Sequence, residues 1–151
     1  MQLTQKETTL LKDLKGQEEI CIEKYKEYSS KASDGQLKNL FSHIAGIEQQ
    51  HFDTISQLEN GTVPSMSGGG SQQQPSFTAT YSAQETPEKK NDCFLCSDLL
   101  STEKHVSGLY DTCIFEFTND QVRSVLNHIQ TEEQEHGKMI YDYMSANSMY
   151  S

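Results

Sequence analysis

The chain has no excess of positive charge, no long apolar run and only one closely spaced pair of cysteines. Each shortage removes a class of function. Lys and Arg number 12 against 22 Asp and Glu, a net charge of −10. Such a surface repels the phosphates of nucleic acids and of anionic membranes. No apolar run approaches the roughly 20 residues that a membrane-spanning helix needs, so neither nucleic acid nor membrane is an expected partner. The first 20 residues contain no apolar stretch of the kind that marks a secretory signal, and no signal peptide is expected. Cys93-Phe94-Leu95-Cys96 has no second C-x-x-C to complete a four-cysteine metal knuckle within one subunit. It remains a candidate redox pair. The hydrophobic fraction, 34%, is low for a packed domain, and a polar central segment accounts for part of that. The 151 residues amount to one domain.

What the chain does contain is one three-part signature, given twice. Glu18 is followed 30 positions later by Glu48-Gln49-Gln50-His51, and Glu103 is followed 30 positions later by Glu133-Gln134-Glu135-His136. A shift of 85 residues aligns the halves without a gap: Leu14 falls on Leu99, Tyr25 on Tyr110, Gln36 on Gln121, His43 on His128 and Ile55 on Ile140. A fixed-offset correspondence of this kind implies one structural unit used twice.

Each unit reads as a helical hairpin. Leu14, Glu18, Cys21, Tyr25 and Tyr28 recur at spacings of three and four, as do Leu37, Phe41, Ile44, Glu48, His51, Ile55 and Leu58. The second unit repeats the pattern with Leu99, Glu103, Val106, Tyr110, Cys113 and Phe117, then Val122, Leu126, Ile129, Glu133, His136 and Ile140. These spacings place each set on one narrow helix face, as in a bundle seam. Between the helices, Ser33-Asp34-Gly35-Gln36 and Thr118-Asn119-Asp120-Gln121 fit capping boxes, with Ser33 and Thr118 as the expected caps.

Glu18 and Glu48 lie 15 residues either side of Ser33, and Glu103 and Glu133 lie 15 either side of Thr118. In antiparallel hairpins these pairs meet at one level, about 22 Å from the turn. Glu18, Glu48, Glu103 and Glu133 would then place four carboxylates in a bundle core, where unpaired charge is very costly. Either several are protonated with raised pKa values, or cations neutralise them. A Glu from each of two helices plus a Glu-x-x-His from each of the other two is the ligand set of a di-metal carboxylate bundle. The expected cofactor is two metal ions bound by Glu18, Glu48, His51, Glu103, Glu133 and His136. Carboxylate oxygen with imidazole suits iron first, and manganese or zinc as well. Glu48 and Glu133 are the expected bridges, Glu18 and Glu103 the terminal ligands, and each His completes one metal.

Tyr25 and Tyr110 follow Glu18 and Glu103 by seven residues and share their stripe. They are read either as hydrogen-bond donors to the ligating carboxylates or as core packing, with a redox relay as a further reading. His43 and His128 sit about 80° off the ligand direction and are read as flank residues. Glu19, Glu23, Glu132 and Glu135 fall outside the stripes and read as solvated face, with Glu135 placed beside His136 where it could tune the site. Cys21 and Cys113 read as small core residues.

Between the units, residues 61–91 contain Ser67-Gly68-Gly69-Gly70-Ser71 and Gln72 to Gln74, a flexible composition. The expected organisation is a first hairpin at 1–60, a crossover linker at 61–91 and a second hairpin at 92–151. Such a crossover between the second and third helices is the ferritin-like arrangement. The fold class is therefore all-α: a ferritin-like four-helix bundle of two repeated hairpins. The linker is also long enough for two chains to exchange hairpins.

The doubled ligand pattern, with Tyr25 seven residues after Glu18, resembles rubrerythrin and the wider ferritin-like di-iron proteins. Glu133-Gln134-Glu135-His136-Gly137 is similar to their second-ligand helix. The iron–sulfur domain of rubrerythrin has no counterpart in the sequence. Three further runs resemble the spore coat protein F-like family of endospore-forming bacteria. They are Phe94-Leu95-Cys96-Ser97-Asp98-Leu99-Leu100-Ser101-Thr102-Glu103-Lys104-His105, Val125-Leu126-Asn127-His128-Ile129-Gln130 and Glu132-Glu133-Gln134-Glu135-His136-Gly137. That resemblance implies a place in the spore coat or the cytoplasm of the sporulating cell, with other spore coat proteins or further copies of the chain as partners. Two functions are expected from these readings: a di-metal protein reacting with oxygen or peroxide, or a structural coat component without catalytic activity.

Overall fold

The computed structural model describes residues 1–65 and 74–150. It contains four helices, α1 (Gln5–Lys31), α2 (Gly35–Glu59), α3 (Pro87–Glu116) and α4 (Asp120–Ala146), and no strand among the described residues.

Each helix begins at a side-chain cap that satisfies backbone N–H groups left open by the first turn. Thr4 accepts from the Glu7 N–H ahead of α1, and Thr86 accepts from the Lys89 N–H ahead of α3. At the two hairpin turns the caps are Asp34 and Asn119, one residue beyond the expected Ser33 and Thr118. Asp and Asn rank as caps at least as high as Ser and Thr. Gln36 does not reach back to close a box; its amide bonds Thr78 O and Thr80 Oγ1, both at 2.8 Å. The third helix starts at Pro87, inside the segment read as linker up to residue 91. Thr86 with Pro87 at the first helical position is the signal that sets this start. Helix α2 ends at Glu59, and Gly61 just beyond its cap takes a φ of +81°, where an added Cβ would lie 3.0 Å from the Met1 carbonyl oxygen.

The helices pack α1 on α2, α3 on α4, α1 on α3 and α2 on α4. Directions follow from the cross-links. Lys6 pairs with Glu116 at 2.7 Å and Asn91 donates to the Lys31 carbonyl at 3.1 Å, so α1 and α3 are antiparallel. The Lys15–Glu59 pair at 3.7 Å brings the end of α2 back to the start of α1. The chain therefore runs up, down, down and up, and the connection from α2 to α3 returns along the whole bundle.

The run Ser67 to Ser71 with Gln72 and Gln73 lies outside the described residues. Residues 74–86 are docked on the bundle. Phe77 packs edge-on against Tyr143, with centroids 5.5 Å apart. The fully buried Asn147 accepts from the Thr80 and Tyr81 N–H groups at 2.8 and 3.0 Å. Asp92, also fully buried, accepts from the Ser33 and Asp34 N–H groups at 2.8 and 3.0 Å and from the Tyr81 hydroxyl at 2.7 Å. One carboxylate thus ties the crossover, the α1–α2 turn and α3 together at this end.

Every apolar position on the four expected stripes is buried except Tyr28, which is half-buried. Burying each Leu or Ile contributes about 1.5–3 kcal/mol. That core holds the four stripes face to face, and the ligand residues lie within them.

Candidate metal centre

Glu18, Glu48, His51, Glu103, Glu133 and His136 converge in the middle of the bundle, each no more than 2% exposed. They form two groups, Glu18–Glu48–His51–Glu133 and Glu48–Glu103–Glu133–His136, and within each group one ligand atom per residue lies within 4.8 Å of the others. Glu48 and Glu133 belong to both groups, and Glu18 and Glu103 to one each.

Both imidazoles turn Nδ1 inward. His51 Nδ1 lies 2.8 Å from Glu133 Oε1, 3.2 Å from Glu48 Oε1 and 3.7 Å from Glu18 Oε2. His136 Nδ1 lies 3.1 Å from Glu48 Oε1 and 3.5 Å from Glu103 Oε1. The rings stack with centroids 5.9 Å apart. These atoms are close, yet they do not form ordinary hydrogen bonds. Both oxygens of Glu48 and of Glu133, Glu18 Oε2, Glu103 Oε2 and both His Nδ1 atoms are buried with no hydrogen-bond partner. Native interiors rarely leave so many polar atoms unsatisfied in one place. The donor set aims at shared points between the side chains, and oxygen plus imidazole nitrogen fits a pair of iron, manganese or zinc ions.

The outer oxygens are held from across the bundle. Tyr25 on α1 donates to Glu103 Oε1 at 2.5 Å, and Tyr110 on α3 donates to Glu18 Oε1 at 2.6 Å. The two bonds exchange under the 85-residue shift. Burial, and then the neighbouring carboxylates, push both phenols well above their ordinary value, so they remain donors.

The metal-free electrostatics are strongly divided. Burial and then the charge of Glu48 push Glu18 up to about 7. Burial, then Glu103 and Glu48, hold Glu133 well above the carboxylate range. Burial also opposes the charge of Glu48, but the imidazoles of His136 and His51 outweigh it and hold Glu48 well below that range. Burial lowers both imidazoles, and the surrounding carboxylates reverse the sign; His136 rises to about 9 and His51 well above its ordinary value. Without cations, protons neutralise part of the cluster.

Glu132 was read as solvated face, and the structure corrects this. Half-buried on α4, its Oε1 lies 2.8 Å from His51 Nε2. An Nε2–H donated to Glu132 leaves the Nδ1 lone pair facing the centre, the tautomer a metal ligand needs. The signal was present: the counterpart of Glu132 under the 85-residue shift is Ile47, which is buried, so the position faces a neighbouring helix. His136 Nε2 has no such partner. Glu19 and Glu23 are exposed and Glu135 is half-buried. His43 is exposed, and His128 reaches Glu132 at 3.5 Å rather than the centre.

All four cysteines are free thiols. Cys96 is fully buried, and burial followed by Asp92 pushes its thiol up, the opposite of what a reactive thiolate needs. Cys21 is buried beside the carboxylates, its thiol raised by burial and then by Glu48.

No curated protein and no solved structure matches the chain. Residues 91–151, which carry Glu103, Glu133 and His136, match the family described as the Coat F domain, and this match supports a resemblance to spore coat F-like proteins.

Proposed function

We propose that this chain is a ferritin-like di-metal carboxylate protein of the spore coat, with iron as the preferred metal. The observation that carries the reading is the sharing of Glu48 and Glu133 between two buried four-residue groups. Two shared carboxylates, one terminal carboxylate per group and one Nδ1 per group form a di-metal set with Glu48 and Glu133 as bridges. Two ferrous ions bound there would supply the electrons to reduce dioxygen or peroxide. The residues do the rest. Tyr25 and Tyr110 fix the rotamers of Glu103 and Glu18 by donating to their outer oxygens, and Glu132 fixes the tautomer of His51. Burial of the carboxylates, none more than 2% exposed, strengthens their hold on a cation.

Metal content per chain tests the reading. Protein loaded with iron under anaerobic conditions should hold close to two metals, and Glu48→Ala with Glu133→Ala should abolish binding. A content near zero in the unaltered protein would overturn it.

A second reading, a structural coat component without turnover, is favoured by a different observation. Phe94 and Phe115 on α3 are 66% and 80% exposed, and Tyr141 and Tyr150 pack together while 42% and 46% exposed. Phe94 and Phe115 stand at separate points on the surface, and under this reading each of these residues would be a small contact for other coat proteins or a second copy. The same double variant tests this reading, under which the chain lacking Glu48 and Glu133 still enters the coat; metal content tests the first reading, and the two can hold together.

A further inference from the structure

The two faces of the centre are not alike. A cleft of about 410 Å³ opens between α3 and α4 beside the carboxylates, within the range of small-molecule sites. Leu100, Ser107 and Gly137 form its walls, the exposed Lys104 stands at its rim, and the buried Glu103 and Glu133 lie beneath. Both Glu133 oxygens and Glu103 Oε2 are among the atoms without hydrogen-bond partners.

The 85-residue shift shows what makes the opening. The counterpart of Gly137 is Phe52, and that of Ser107 is Ile22. On the α1–α2 face Ile22 is 8% exposed, and Phe52 is half-buried with the Lys15 ammonium 5.4 Å above its ring. Two bulky side chains therefore fill the positions that Gly137 and Ser107 leave open. The helix backbone tolerates a side chain at 137: an added Cβ would meet only Leu100 Cδ1, at 3.6 Å. The absence of one is what leaves the space.

We infer that the centre is entered from one side, through the α3–α4 cleft, by a small oxygen- or nitrogen-donor molecule of the size of peroxide or azide that reaches the Glu103–Glu133 edge. Gly137 and Ser107 set the width of this entrance, and Lys104 places a positive charge at its mouth. The inference rests on the di-metal reading above and specifies its access.

The probe is azide, mixed with cobalt(II)-loaded protein and followed by stopped-flow visible absorption, with metal content and helical circular dichroism measured on each sample. Gly137→Phe and Ser107→Ile each copy the residue of the closed face. Both should keep the metal content of the unaltered protein and slow azide entry by about tenfold or more. Phe52→Ala, which removes one of the two side chains that close the opposite face, should open a second way in and speed azide entry; a slowed entry would count against the proposal. If either blocking variant folds, holds its metal and admits azide at the original rate, the one-sided entrance is wrong while the di-metal reading stands. A chain that takes up no cobalt overturns the di-metal reading and this inference with it.

Discussion

Replacing Glu133 by Gln tests the centre with opposite expectations for the two metal states. Glu133 is fully buried and shared by both ligand groups. Burial and the charges of Glu103 and Glu48 hold its carboxyl well above the ordinary range, which favours the neutral acid in the metal-free chain. A Gln of the same shape replaces that acid at a cost of about 1.5 kcal/mol at most. At about 2–4 °C per kcal/mol for a chain of this size, the metal-free melting temperature moves by less than about 6 °C. The metal-bound state behaves differently. An ion present at a hundred times its dissociation constant contributes about 2.7 kcal/mol, so two ions raise the melting temperature by about 10–20 °C. Glu133→Gln removes one ligand from each ion, and most of that increase should vanish. The assay is a pair of thermal melts, with chelator and with saturating metal, on both proteins. The contact at 2.8 Å between Glu133 and His51 Nδ1 defines the refuting result. If that contact were an ionised pair, breaking it would cost about 3–5 kcal/mol without metal. A metal-free loss of that size, or a metal-induced increase that survives the substitution, refutes the reasoning.

The same electrostatics set the pH response. Glu18 is raised to about 7 and His136 to about 9, so the folded metal-free chain keeps protons that the unfolded chain releases at lower pH. This stabilisation is complete below the unfolded values and is lost as pH rises through 7 and then 9. The metal-free melting temperature should therefore fall between about pH 5 and about pH 9. The lowered pKa values of Glu48 and Glu132 act only below the ordinary carboxylate range, outside that window. Saturating metal should reverse the trend, because ligation needs ionised carboxylates and neutral imidazole; a metal-bound melting temperature that falls in parallel would count against ligation by these groups. Tyr25→Phe and Tyr110→Phe each remove one hydrogen bond to a buried carboxylate, and should weaken metal binding by about 10–100-fold in competition titrations. Their exchange under the 85-residue shift predicts similar losses, and an effect confined to one of them would refute that symmetry. Glu132→Gln should weaken the ion beside His51 by a comparable factor and leave the other unchanged, so that the two unequal steps of the titration draw together.

The architecture was legible because the chain states its pattern twice. One amphipathic stripe containing Glu18 or Glu48 is weak information. Four stripes, with their acidic residues in register under one shift, identify the faces that must meet, and all four faces are buried. What escaped the sequence reading was chemistry decided by a single residue or by distant parts of the chain. The caps are Asp34 and Asn119 in place of Ser33 and Thr118: at each turn a hydroxyl residue stands beside an Asp or Asn of equal or higher capping rank, and local pattern does not choose between them. The α3 start at Pro87 was written in Thr86-Pro87 but masked by its polar surroundings. The docking of residues 74–86 depends on Asp92 in α3 and Asn147 just past α4, which are far apart in sequence and look locally like ordinary surface residues. No local pattern marks them as buried.

The internal correspondence also explains which site details were readable. Where the halves agree, at Glu18 and Glu103, Glu48 and Glu133, His51 and His136, Tyr25 and Tyr110, the residue serves a geometry required on both sides of the centre. Agreement marked the six residues that converge in the core and the two tyrosines that bond them. Where the halves differ, each copy acts as a control for the other. Glu132 against Ile47 gives only His51 a partner on Nε2. Gly137 against Phe52, and Ser107 against Ile22, open only the α3–α4 face. These differences are invisible to a reading that looks only for matches, because each is an absence of similarity at a position that periodicity assigns to no stripe. The two halves of the centre are consequently distinct. His51 has an oriented ring beneath a closed face, whereas His136 has no Nε2 partner and lies in the half that faces the cleft. A pair of ions held in such a site would occupy two unequal positions, one better anchored and one easier to reach. Under the di-metal reading, that inequality would let one half hold a metal while the other exchanges ligands with solvent.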